Sequence, residues 1–177
     1  MSSTPYEDQF LNIITGFITL FEDIISTASK GGHTTLNHEV LKIGNMVLQQ
    51  KIQKLGNANV LNSFIKKTHE HWKYVSEKDE KHFVKHLPDI VTDVPKEYVI
   101  EFCRLFTSTD KKGKSIIPEE DKEAFFENAN SMIKIAVKYI YKNRNPKVDG
   151  NGKVKYDINF FPDISLSKYS KIFGVKL

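Results

Sequence analysis

Residues 10–25 read FLNIITGFITLFEDII, and their spacing decides the fold class. Phe10, Ile13, Ile14, Phe17, Ile18, Phe21, Ile24 and Ile25 recur at intervals of three and four, the period of one face of an α-helix, and Leu11 and Leu20 widen that stripe. A broad stripe of this kind marks a central core helix. Just upstream, Thr4-Pro5-Tyr6-Glu7 has the pattern of a capping box with proline at the first helical position. Downstream, Gly31-Gly32 ends the helix. The run is 16 residues long and contains Asn12, Thr15, Glu22 and Asp23, too short and too polar for the expectation of a membrane span.

The same period repeats outward from this stretch. Thr34 or Thr35 can cap a second helix carrying Leu36, Val40, Ile43, Val47, Leu48, Ile52 and Leu55, closed by Gly56. A third begins at Asn57 or Asn59 and runs through Val60, Leu61, Phe64, Ile65, Trp72 and Val75, so that the two make a helical hairpin. From Ser76 and Asp79 the pattern continues through Phe83, Val84 and Leu87 until Pro88, which is expected to stop it. Pro95 opens a helix bearing Tyr98, Val99, Phe102, Leu105 and Phe106. Pro118 opens a long one, acidic at its start (Glu119, Glu120, Asp121, Glu123) and basic toward its end (Lys134, Lys138, Lys142), the order the helix dipole favours.

Beyond residue 142 the texture changes. Lys147-Val148-Asp149-Gly150-Asn151-Gly152-Lys153-Val154-Lys155-Tyr156 reads as a β-hairpin, since Asp-Gly and Asn-Gly supply the positive φ angles of tight turns. Phe160-Phe161-Pro162 follows, and Asp163 is the expected cap of a short terminal helix with Leu166, Tyr169, Ile172 and Phe173, closed by Gly174. The expected fold is therefore mainly α: a bundle of five to seven helices over 1–142, and a hairpin with a short helix over 143–177 that is not an independent domain.

Length and charge narrow the function classes. At 177 residues the chain fits one domain and excludes most multidomain enzymes. Its 40% hydrophobic and 27% charged residues belong to an ordinary globular protein. Residues 1–141 balance 18 Lys/Arg against 19 Asp/Glu, whereas 142–177 carry eight against three, so the positive charge is concentrated at the end. Only Arg104 and Arg144 are arginine, which disfavours sequence-specific DNA reading. One cysteine, Cys103, and a start without a cationic leader lead to the expectation of an intracellular, reducing compartment.

Several motifs fail on inspection. Gly113-Lys114-Ser115 resembles the end of a phosphate loop, but Ser108 stands where its first glycine belongs and no buried strand precedes it. Asp149-Gly150-Asn151-Gly152 would place Lys147 and Ile158 at the first and twelfth calcium ligands, where carboxylates are required. Cys103 lies among apolar neighbours, the setting of a buried small hydrophobe. Four of the six histidines fall between 69 and 86. His82 and His86 stand one helical turn apart and, with His69, are the candidate metal ligands; His71, Glu70 and Asp79 are further donors nearby. The surrounding lysines make a hydrated face the expectation instead, and no metal or other cofactor is assigned.

Trp72-Lys-Tyr-Val-Ser-Glu-Lys-Asp-Glu-Lys-His-Phe83, then Phe102-x-x-Leu-Phe106, then Ile116-Ile-Pro-Glu-Glu-Asp-Lys122 before a long helix, resembles small helical proteins of large DNA viruses over about half of the chain. The resemblance implies a virion or virus-factory protein, and it carries over no catalytic residue.

The tail is the one constellation with a functional expectation. Lys153, Lys155, Tyr156, Phe160, Phe161, Tyr169 and Phe173 interleave cations with aromatics, and are the expected partner-binding residues. The leading reading is a non-enzymatic structural or assembly protein docking a protein partner through this segment. The alternative is a nucleic-acid-binding accessory protein using the same residues, because lysines with stacking aromatics suit single strands. A metal-dependent hydrolase built on His69 to His86 comes third.

Overall fold

The computed structural model describes residues 5–36, 38–155 and 159–177. Thr4 and Tyr156 lie outside the described residues, as does the side chain of Val40. Among the described residues seven α-helices precede a two-stranded hairpin and one follows it: α1 (Tyr6–Lys30), α2 (His38–Leu55), α3 (Asn57–Thr68), α4 (Trp72–Ser76), α5 (Glu80–Ile90), α6 (Lys96–Thr107), α7 (Glu119–Asn143), β1 (Lys147–Val148), β2 (Val154–Lys155) and α8 (Leu166–Phe173). The mainly helical bundle with a C-terminal hairpin and short last helix is therefore observed.

The two 25-residue helices α1 and α7 form the spine and pack along each other. Two cores lie along them. Phe10 and Ile18 of α1 join Ile133, Val137 and Ile140 from the second half of α7, together with α3, Trp72 and α8. Ile24, Ile25 and Ala28 join Phe125 and Phe126 from its first half, together with α6 and Leu87. The spine helices thus run antiparallel. By length and composition α1 is also apolar enough to cross a membrane, with a mean hydropathy of 1.4 over 18 residues. Its threonines are satisfied within the helix, Thr15 Oγ1 donating to the Leu11 carbonyl at 2.9 Å and Thr19 Oγ1 to that of Thr15 at 3.1 Å. The second core is built on rings: Phe83 stands edge-on to Phe125 at 4.6 Å and Phe106 to Phe125 at 5.6 Å. Such pairs add about 0.5–1.5 kcal/mol each beyond their burial.

Several local expectations are corrected. α2 begins only at His38, the Thr34 hydroxyl instead accepting the N–H of Leu36 at 3.2 Å ahead of it. The third helix is interrupted by a 3₁₀ turn at His69–His71 before α4. Two residues past the end of α4 stands Lys78, whose φ of 51° is left-handed. Asp79 N–H bonds to the Tyr74 carbonyl and Lys78 N–H to that of Val75, the paired bonds of a Schellman cap, here without glycine. Asp79 then caps α5, accepting the N–H of His82 at 3.0 Å. Pro88 does not stop α5, which continues to Ile90; near the end of a helix its ring removes one backbone bond only, and its fixed φ fits the next turn. α8 is capped by Ser165 rather than Asp163, because Ile164 between them is buried in the first core.

The hairpin register pairs Lys147 with Lys155 and Val148 with Val154. Asp149 holds its turn, accepting the N–H groups of Asn151 at 3.0 Å and Lys153 at 2.9 Å. This is an Asx turn, which explains the Asp-Gly-Asn-Gly sequence without a cation. The loop before α7 repeats the device, Asp110 accepting from Lys112 at 2.7 Å and Lys114 at 3.0 Å.

Candidate functional site

The C-terminal segment divides into a part that completes the core and a part that faces solvent. Arg144, buried just past the end of α7, organises the first part: Nε donates to the Phe160 carbonyl at 2.8 Å, and Nη2 donates to the carbonyls of Phe161 and, at 3.0 Å, Ile164. The turn so gathered sends Ile164, Leu166, Tyr169, Phe173 and Val175 into the first core. Of the expected partner-binding aromatics, Tyr169 and Phe173 are therefore buried and unavailable to a partner. Phe160 and Phe161 are half-buried, with Phe160 edge-on to Tyr139 at 5.6 Å. Nothing in the sequence pattern marks Arg144 as their anchor, since its role depends on carbonyls 16 to 20 residues away.

Lys153 and Lys155 are exposed on the hairpin. Lys155, with Lys138 and Lys142 of α7, Lys147 of β1 and Lys176 near the C-terminus, lines a groove of about 1170 Å³ between the end of α7 and the hairpin. Asp149 is the one carboxylate residue on its described lining, 3.9 Å from Lys155 Nζ. Lys142 Nζ lies 5.8 Å from the centre of the Tyr6 ring. Helix polarity favours Lys142 there, because a cation in the last turn of α7 complements its negative end. The sequence marked the basic end of the chain but missed Lys138 and Tyr6 as members of one surface.

The histidines assemble differently from expectation. His82 and His86 come together with His71 rather than His69: His71 Nδ1 is 2.9 Å from His82 Nε2, and the His82 and His86 rings are 4.3 Å apart. His69 turns back on its own helix, its Nδ1 3.1 Å from the Ile65 carbonyl. Tyr74 stacks flat on His82, with centroids 3.5 Å apart and planes 12° from parallel. Burial, then the charge of His86, lowers the basicity of both His71 and His82, which keeps them neutral at neutral pH. Among the described residues no group of three or more His, Cys, Asp or Glu is arranged to hold a metal ion, so the hydrolase reading gains no support from the geometry.

Cys103 is buried, and burial pushes its thiol pKa up to about 11. A thiol at that value is protonated at neutral pH and a poor nucleophile.

No family model, no curated protein and no solved structure matches this chain. The resemblance to proteins of large DNA viruses draws no support from these comparisons.

Proposed function

We propose that this chain is a non-enzymatic assembly protein that docks an acidic segment of a protein partner in the lysine groove. The observation that carries this reading is the imbalance of the groove, five lysines against the Asp149 side chain among its described residues. Like charges that line one groove repel one another, and an anionic occupant relieves that repulsion. A virion or virus factory as the setting, within a reducing compartment, rests on the sequence motifs and the single cysteine.

A protein partner is favoured over a nucleic acid by what the tail does with its aromatics. Phe160, Phe161, Tyr169 and Phe173, the stacking platform a single strand needs, pack against the bundle. The groove lacks arginine among its described residues, and Arg144 is turned inward to backbone carbonyls. What remains, beside the half-buried Tyr6 and Tyr141, is a set of flexible point charges, suited to carboxylate side chains.

The test is binding of the full chain to a polyglutamate peptide and to a mixed-sequence single strand, each across a salt titration. The peptide should bind at low salt, and the double variant Lys138→Glu with Lys147→Glu should weaken it by at least about tenfold, about 1.4 kcal/mol, as two exposed ion pairs are lost and two charges reversed. Preferential binding of the single strand, with the steep salt slope of counterion release, favours the nucleic-acid reading instead. Binding of neither ligand overturns both.

A further inference from the structure

We propose that the cleft between α2, α3 and α5 binds a single-chain anionic amphiphile of the medium-length fatty-acid class. This site is separate from the lysine groove. It encloses about 300 Å³, the lower end of the range of small-molecule sites, and its walls are almost entirely apolar. Phe17 and Phe21 of α1, Leu48 and Ile52 of α2, Val75 of α4 and Ala129 of α7 supply them. Interiors are ordinarily packed without voids larger than a water molecule, so an apolar space of this volume loses contacts on every wall. An acyl chain restores them.

The rim chooses the head group. Where the cleft meets solvent past the end of α5, Lys51 Nζ lies 2.6 Å from one oxygen of Asp93 and Lys67 Nζ lies 3.7 Å from the other, with Lys67 also donating to Thr92 Oγ1 at 2.9 Å. Two ammonium groups share one carboxylate, and all three side chains remain partly exposed. A second carboxylate completes the pairing. The other carboxylate on the lining, Asp79, stands at the opposite end of α5, about 16 Å away along an 11-residue helix, and is engaged as its cap. There the cleft is bordered by His71, His82 and His86; burial and then the charge of His86 lower the basicity of His71 and His82, and the Asp79 carboxylate beside them disfavours a second anion at that end. The chain therefore lies along α5 with its head at Lys51 and Lys67.

Decanoate, decanol and decylammonium, each below its micelle threshold, are titrated into the full-length protein by calorimetry and followed by backbone amide shifts. Decanoate should bind once per chain, about tenfold tighter than decylammonium, with shifts confined to the residues of α1, α2, α3, α4, α5, α6 and α7 that line the cleft and to its Lys51, Lys67 and Asp93 rim. Lys51→Gln with Lys67→Gln should abolish the preference for the anion and leave decanol unchanged. Ala129→Phe, or Leu48→Trp should the first fail to fold, should weaken all three ligands by at least about tenfold. Equal binding of the three ligands, non-saturating binding, shifts clustered elsewhere, or a folded filling variant with unchanged affinity would each overturn the proposal.

Discussion

Tyr169 donates its phenolic hydroxyl to the backbone carbonyl of His69 at 3.1 Å, across one hundred residues of sequence, while its ring stands edge-on to the fully buried Trp72 at 5.1 Å. Trp72 in turn donates its indole N–H to Thr68 Oγ1 at 2.9 Å. The last helix thus closes over the 3₁₀ turn that separates α3 from α4. The basic end of the chain belongs to the core on its inner side, whatever it binds on the outer.

Deleting 143–177 should therefore unfold the bundle. The deletion removes Ile164, Leu166, Tyr169, Phe173 and Val175, each buried in the first core. At about 1.5–3 kcal/mol per fully buried large side chain, their loss matches the whole net stability of an ordinary domain, about 5–15 kcal/mol. Tyr169→Phe, which removes only the hydrogen bond, should cost about 1 kcal/mol. Denaturant melts of both variants measure this, and a truncated protein with an unchanged midpoint would contradict it.

Arg144→Met should destabilise by about 3–5 kcal/mol although it removes a charge from a basic segment. Methionine fills the space, but the carbonyls of Phe160 and Ile164 lose the Arg144 donor and that of Phe161 keeps only the N–H of Ile164. Buried acceptors left without one cost about 1–3 kcal/mol each, part of which water recovers. Lys147→Met, at an exposed site on the hairpin, is the control and should change stability by less than about 0.5 kcal/mol. Equal melting temperatures for the two variants would rule out the anchoring role.

The elements that were legible in the sequence are those whose apolar residues share one helical face. The Phe10 to Ile25 stripe became half of the spine, and the Gly31-Gly32, Gly56 and Gly174 stops fall where helices end. The expectations that failed turn on tertiary competition. Pro88 sits inside α5, and Ile164 takes the core position that moves the α8 cap from Asp163 to Ser165. Aromatics at Phe160, Phe161, Tyr169 and Phe173 read equally well as a docking surface or as core, because periodicity records which residues share a face and not what that face meets. The His71–His82 contact joins the 3₁₀ turn to α5 across only eleven residues, and the cleft beside it draws on α1, α2, α3, α5 and α7, so no spacing within one helix announces either.

Lys78 gives a test of backbone strain. Its φ of 51° is costly for any residue with a Cβ and free for glycine. Both Lys78→Ala and Lys78→Gly lose the exposed ion pair to Glu123, so their difference isolates the backbone. Lys78→Gly should be the more stable of the two by about 1 kcal/mol, the reverse of the order inside a helix. Chemical denaturation of the pair measures it, and alanine being equal or better would show that the left-handed cap does not persist in solution.

The histidine cluster should make stability fall as pH drops below neutrality. His71 and His82 are held below the ordinary value of 6.5, first by burial, then by the charge of His86, with Glu70 opposing the shift at His71, Asp79 opposing it at His82, and His69 and Lys85 reinforcing it. A folded state that resists protonation binds fewer protons than the unfolded chain, so stability rises with pH through this range. The contribution is complete above pH 6.5 and is lost as pH falls through the depressed folded values, because two imidazolium rings cannot share the single hydrogen bond that joins His71 Nδ1 to His82 Nε2. Asp93 and Glu101, held below the usual carboxylate range by Lys51 and Arg104, lose their contributions only at more acidic pH, which separates the two effects. Denaturant midpoints measured from pH 8 to pH 5 should fall for the native protein and fall less for His71→Gln with His82→Gln. A profile that is flat, or identical in the two proteins, would show that the cluster takes up protons freely in the folded state.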